Sequence, residues 1–140
     1  MAEYFLSSHE ETLALGEEMS QLIHPQSLIC FFGDLGAGKT TFIKGLARGF
    51  GIEAASVCSP TFQYLNIYQG TRKIELFHFD LYRLKNAEEF LSMGFDEYLA
   101  NSGVTCIEWA ERIRSIIPKQ AITISMAHRE DGGRICEISL

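Results

Sequence analysis

The run Gly33-Asp34-Leu35-Gly36-Ala37-Gly38-Lys39-Thr40 constrains this chain more than any other stretch. It matches the pattern G-x-x-x-x-G-K-[ST] at every position. Its surroundings match as well. Leu28-Ile29-Cys30-Phe31-Phe32 before it is apolar without alternation, as expected of a strand buried on both faces. Phe42, Ile43, Leu46, Ala47 and Phe50 after it recur at helical spacing, and Gly51 fits a C-terminal cap. A strand, a glycine-rich turn and a helix in this order predict a phosphate-binding loop. Glycines let the backbone curl into a nest of N–H donors without Cβ obstruction. A helix N-terminus near Lys39 adds partial positive charge. The Lys39 ammonium is expected to reach β- and γ-phosphates, and the Thr40 hydroxyl to ligate Mg²⁺. Thr41, one residue further round the turn, is placed to meet an α-phosphate.

The rest of the chain reads as strands and helices around this unit. Tyr4-Phe5-Leu6 is a short strand. Ser8-His9-Glu10-Glu11 opens a capping box, and Leu15, Met19, Leu22 and Ile23 predict an amphipathic helix over residues 9–23. Residues 62–68 and 73–79 predict a hairpin. Asn86-Ala87-Glu88-Glu89 starts a short helical stretch reaching about Leu99. Val104 to Glu108 predicts a strand, followed by a helical turn to about Ile116, before Pro118. Residues 120–127 and 134–140 read as a closing hairpin around Asp131-Gly132-Gly133. The fold class is α/β: a P-loop NTPase-like mixed β-sheet flanked by helices, in a single small domain over residues 1–140.

Composition narrows the function classes. At 140 residues, 46% hydrophobic and 21% charged, the chain has the balance of a globular domain. Its net charge is −6. An acidic chain gains little from counterion release on nucleic acid, so autonomous DNA or RNA binding is disfavoured. Cys30, Cys58, Cys106 and Cys136 form no CxxC pair and sit among apolar or small neighbours, which predicts buried, reduced thiols in a cytoplasmic protein. Met1-Ala2-Glu3-Tyr4 has no basic run of the kind that opens a signal peptide. The apolar run Leu28 to Phe32 is far below the ~20 residues of a membrane span.

A Mg²⁺-dependent phosphoryl-transfer site wants a further carboxylate, commonly at the end of an apolar strand. Asp80 ends Ile74-Glu75-Leu76-Phe77-His78-Phe79-Asp80, and Glu108 ends Val104-Thr105-Cys106-Ile107-Glu108. Glu108 fits the position better, because the strand before it carries no charge. His78 shares a strand face with Asp80 and reads more readily as a structural histidine than as a catalytic one. Pro60 holds Ser59 extended, and Thr61 beside it is a candidate sensor of γ-phosphate and Mg²⁺ in a switch segment. The chain lacks N-K-x-D, the guanine-reading pattern of GTPases. Arg83, Arg112, Arg129 and Arg134 are single and scattered, and the spacing selects none of them as an arginine finger.

Several stretches together resemble the bacterial ATPase family of tRNA threonylcarbamoyladenosine biosynthesis, TsaE. They are Gly33 to Thr41, Ser59-Pro60-Thr61-Phe62, His78-Phe79-Asp80-Leu81-Tyr82-Arg83-Leu84, Met93-Gly94-Phe95 with Glu97-Tyr98, and Ile107-Glu108-Trp109. The similarity runs over about residues 5–140. It implies ATP or ADP binding with Mg²⁺ in the cytoplasm. It implies two protein partners, a catalytic transferase subunit and its scaffold homologue, that attach threonylcarbamoyl to N6 of the adenosine at position 37 of tRNAs reading codons that begin with A. Contact with tRNA would be indirect, and hydrolysis would support or reset the partners. The family pattern places nucleotide contacts at Gly33, Asp34, Leu35, Gly36, Ala37, Gly38, Lys39, Thr40 and Thr41, and Mg²⁺ ligation at Thr40 and Glu108. Lys39, Glu108, Asp80 and Thr61 fall in its catalytic motifs. Further nucleotide contacts are expected from His9, at the start of the first helix, and from Arg134 in the last hairpin. Two other readings fit the loop: a small-molecule kinase, for which 140 residues leave little room for acceptor pocket and lid, and a nucleotide-dependent adaptor that does not hydrolyse.

Overall fold

The computed structural model describes residues 1–34, 36–100 and 103–140; Leu35, one of the expected loop contacts, lies outside the described residues. Among the described residues, one seven-stranded sheet runs in the order β1-β7-β6-β2-β5-β4-β3. The strands are β1 (Ala2–Leu6), β2 (Leu28–Phe32), β3 (Leu65–Gln69), β4 (Glu75–Asp80), β5 (Val104–Glu108), β6 (Ile122–His128) and β7 (Arg134–Ser139). The central strands β6, β2, β5 and β4 are parallel, while β3, β7 and β1 join antiparallel at the flanks. The mixed sheet expected from the sequence is therefore present.

Helices cover both faces. α1 (His9–Ser20) and α2 (Lys39–Gly49) pack on one side over Phe31, Phe42, Ile43 and Leu46, all fully buried. α1 begins as its capping box predicts, with the Glu11 amide donating to Ser8 Oγ at 3.2 Å. It stops at Ser20, three residues earlier than the apolar spacing suggests, and Leu22 is exposed. The two helices touch through glycine. A Cβ on Gly16 would lie 2.3 Å from the Phe42 carbonyl oxygen, and one on Gly45 would lie 2.2 Å from that of Leu13. This contact presents the start of α1 to the start of α2.

The other face carries α3 (Ala87–Ser92) and two 3-10 segments, Phe95–Ala100 and Ala110–Ile116. Such short helical pieces are not stable alone and depend on packing. Phe79 of β4 supplies it, with its ring 5.8 Å from Phe90, 5.2 Å from Phe95 and 5.6 Å from Tyr98. Aromatic pairs of this kind contribute about 0.5–1.5 kcal/mol each beyond burial. The hairpin expected from residue 62 onward begins only at Leu65, and Phe62 is 76% exposed. Cys30, Cys106 and Cys136 are buried, as anticipated, but Cys58 is exposed. It lies in the extended segment ahead of Pro60, outside both cores, where its amide donates to Tyr68 Oη at 3.2 Å.

Sheet register positions the site. Asp80 pairs with Glu108 across β4 and β5, and Phe31 pairs with Glu108 across β2 and β5. Both carboxylates thus stand at the carboxyl ends of adjacent parallel strands, beside the loop that leaves β2. This is where open α/β sheets bind ligands.

Candidate functional site

The loop leaving β2 has the backbone that its glycines foretell. Gly33 has φ +134°, and a Cβ there would sit 2.1 Å from the Met126 carbonyl oxygen of β6, so no other residue fits. Gly36 and Gly38 also have positive φ. The Ala37 amide donates to the Asp34 carbonyl at 3.2 Å, and Ala37 is fully buried in the core. Asp34 and Ala37 therefore shape the loop through backbone and packing. α2 then starts at Lys39 from Gly38, with no side-chain cap and no acidic residue in its first turn. Its free N–H groups and dipole face the loop.

Lys39 is almost fully buried. Its Nζ donates to the Gly33 carbonyl at 2.5 Å and lies 3.9 Å from the centroid of the Trp109 ring. Burial pulls its pKa below the ordinary lysine value, opposed by the negative charges of Glu108, Glu111, Asp80 and Asp34. Thr40 Oγ1 lies 3.0 Å and 2.8 Å from the two carboxylate oxygens of Glu108, to which it donates. Sequence reasoning assigned these two residues to one metal, and the fold brings them into contact across 68 positions of chain.

Asp80 and Thr61 also meet. Asp80 Oδ2 accepts from Thr61 Oγ1 at 3.2 Å and from Ser59 Oγ, while Oδ1 accepts from the Tyr82 amide at 2.9 Å. The segment around Pro60 is thereby tied to the end of β4. Lys39, Thr40, Thr41, Thr61, Asp80 and Glu108 share one open cleft of about 390 Å³, with His9 on its rim. That volume suits a small-molecule ligand. A smaller hollow of about 130 Å³ adjoins it at His9 and Gly38 and takes in Arg134. The Arg134 guanidinium donates to the Gly36 carbonyl at 3.2 Å, and His9 Nδ1 lies 3.5 Å from Thr41 Oγ1. Both outlying residues are thus beside the loop.

Four contributions were not foreseen from the chain. Glu111 Oε2 accepts from the Gly33 amide at 3.0 Å, anchoring the loop's first residue. His78 Nε2 lies 2.6 Å from Glu108 Oε2. Ser59 binds Asp80. Trp109, held at φ +59°, lays its ring against Lys39 and within 5.0 Å of the Tyr82 ring. A non-glycine residue in that region is strained and tends to mark functional sites. The tryptophan directly follows Glu108 and belongs to the Ile107-Glu108-Trp109 stretch of the family resemblance, which marked the position without indicating its contact with Lys39.

Comparison with known proteins agrees with this geometry. The family model for threonylcarbamoyl adenosine biosynthesis protein TsaE matches residues 6–136. The chain belongs to the TsaE family. A TsaE protein of Treponema pallidum is 40% identical over 127 residues, spanning 91% of this chain and 92% of that one. One from Bacillus subtilis is 38% identical over 125 residues, 89% of this chain and 77% of the relative. The crystal structure of Bacillus subtilis YdiB superposes with a TM-score of 0.77 at 30% identity, over 96% of this chain and 82% of that one. Both relatives are described as tRNA threonylcarbamoyladenosine biosynthesis proteins. The P-loop NTPase-like fold and the family membership stand together.

Proposed function

We propose that this chain binds ATP with Mg²⁺ in the cleft and hydrolyses it as the ATPase subunit of tRNA threonylcarbamoyladenosine formation. The observation that carries this reading is the Thr40–Glu108 contact at 2.8–3.0 Å beside the glycine loop. The donor set fits Mg²⁺. Thr40 and Glu108 offer only oxygens, with the Asp80 carboxylate in the same cleft, and Mg²⁺ takes one or two carboxylates together with phosphate oxygens and water. The cation, when bound there, would neutralise charge on the β- and γ-phosphate oxygens.

The protein's own groups have separable tasks. The loop amides and the first turn of α2 would receive the phosphates. Lys39 would exchange the Gly33 carbonyl for phosphate oxygens, a short swing that uses the same ammonium. Thr41, His9 and Arg134 border the nucleotide on the α1 side. Asp80 would hold Thr61 and Ser59 at the cleft, so that this segment responds to the terminal phosphate.

Among the described residues, no arginine lines the larger cleft. Arg112 donates to the Tyr82 carbonyl at 3.3 Å. An arginine finger is worth ~10³–10⁵ in rate, so turnover by the chain alone should be slow. The net charge of −6 favours delegating tRNA contact to two protein partners, the transferase subunit and its scaffold homologue, in the cytoplasm. Among the described residues, no helix is long and apolar enough to cross a membrane. The test is ATP turnover measured with and without both partners. The reading expects marked stimulation by them, and loss of it in Glu108→Gln. Equal turnover with and without partners would contradict it, and a phosphorylated small-molecule product would favour a kinase.

A further inference from the structure

His78 is fully buried in β4, two residues before Asp80. Strand register sets it opposite Cys106, so that its ring meets the side chain of Glu108 further along β5. Its Nε2 lies 2.6 Å from Glu108 Oε2, and Nδ1 has no hydrogen-bond partner among the described residues. An ionised carboxylate only accepts, so Nε2 carries the proton and donates. Nδ1 then holds a lone pair, and a lone pair is left without a partner more readily than an N–H. The arrangement suits one task, a single hydrogen bond directed at Glu108.

We propose that His78 is a positioning residue which fixes the plane of the Glu108 carboxylate; this rests on the nucleotide and Mg²⁺ reading above. The terminal torsion of a glutamate is broad, so an unaided carboxylate samples many orientations. Glu108 is held from two sides instead. His78 donates from the sheet, and Thr40 Oγ1 donates from α2 at 2.8 Å and 3.0 Å. Mg²⁺ demands near-octahedral geometry at about 2.0–2.1 Å, which rewards a preset ligand. Losing a hydrogen-bond partner behind a metal ligand typically costs about 10–100-fold in metal affinity.

The test compares two polar replacements. Glutamine carries its amide nitrogen at about the reach of imidazole Nε2, and asparagine carries its own at about the reach of Nδ1. ADP affinity is measured by calorimetry on the full chain, in EDTA and across a Mg²⁺ series, for parent, His78→Gln and His78→Asn. The expected result is similar ADP affinity in EDTA for all three. The Mg²⁺ midpoint should rise about 10–100-fold in His78→Asn and stay within about threefold of the parent in His78→Gln. A simple core-filling role would move thermal stability but not separate the two midpoints. An unmoved midpoint in a folded His78→Asn overturns the role of His78 alone. If His78→Asn does not fold, a midpoint raised more than about tenfold in His78→Gln overturns it. A parent that binds no ADP, or binds it without regard to Mg²⁺, overturns the nucleotide and metal reading as well.

Discussion

Replacing Glu111 by alanine tests how the phosphate loop is held. Glu111 lies in the 3-10 segment after β5, and its Oε2 accepts from the Gly33 amide at 3.0 Å across 78 positions of chain. A hydrogen bond to a charged acceptor is worth about 1.5–3 kcal/mol, and an amide left without one bears the desolvation penalty. The carboxylate is half-buried, and its other oxygen is buried with no hydrogen-bond partner among the described residues, so the middle of that range applies. Glu111→Ala should therefore cost about 2 kcal/mol. For a domain of this size that lowers the unfolding midpoint by roughly 7 °C. It should also speed hydrogen exchange at the Gly33 amide by about thirtyfold, since each 1.4 kcal/mol is tenfold. Calorimetry reads the first and amide exchange by NMR the second. An unfolding midpoint within about 2 °C of the parent, with unchanged protection at Gly33, would refute the anchoring role.

The loop's first glycine gives a steeper case. Gly33→Ala would drive a Cβ into the Met126 carbonyl at a φ of +134°, and should cost on the order of 3 kcal/mol in thermal unfolding while abolishing ADP binding. Only Cys58 should react with a thiol reagent in the folded protein at pH 8, with all four cysteines reacting after unfolding; two or more fast thiols in the native state would contradict the burial of the others. Burial pushes Cys30 and Cys136 up to about 12 and Cys106 well above the ordinary value of 9.0. The unfolded chain then loses these protons first, so stability is intact below about pH 9 and falls as pH rises towards 12. A thermal midpoint that is flat from pH 9 to 11 would count against this.

Much of the architecture was legible because two of the four parallel strands, β2 and β5, announce themselves. Leu28–Phe32 is wholly apolar and Val104–Ile107 carries no charge, as suits strands covered on both faces, and the loop's glycines mark their own backbone. The Thr40–Glu108 pair was legible through motif and resemblance. Glu111 was not, because a carboxylate in a short helical turn looks like any solvated face until the fold folds it back on Gly33. His78 reads as a core histidine from local pattern, since its contact depends on the register between β4 and β5. The early end of α1 and the exposure of Cys58 follow from where the two cores stop, and neither limit is encoded in nearest neighbours.

The role proposed for this loop is to bind nucleotide in the service of tRNA modification. Its most direct measurement is nucleoside mass spectrometry of tRNA from cells depleted of this protein and resupplied with either the parent or Lys39→Ala. Threonylcarbamoyladenosine should fall on depletion, return with the parent, and stay low with a stably folded Lys39→Ala. Unchanged threonylcarbamoyladenosine on depletion, or full restoration by Lys39→Ala, would contradict it.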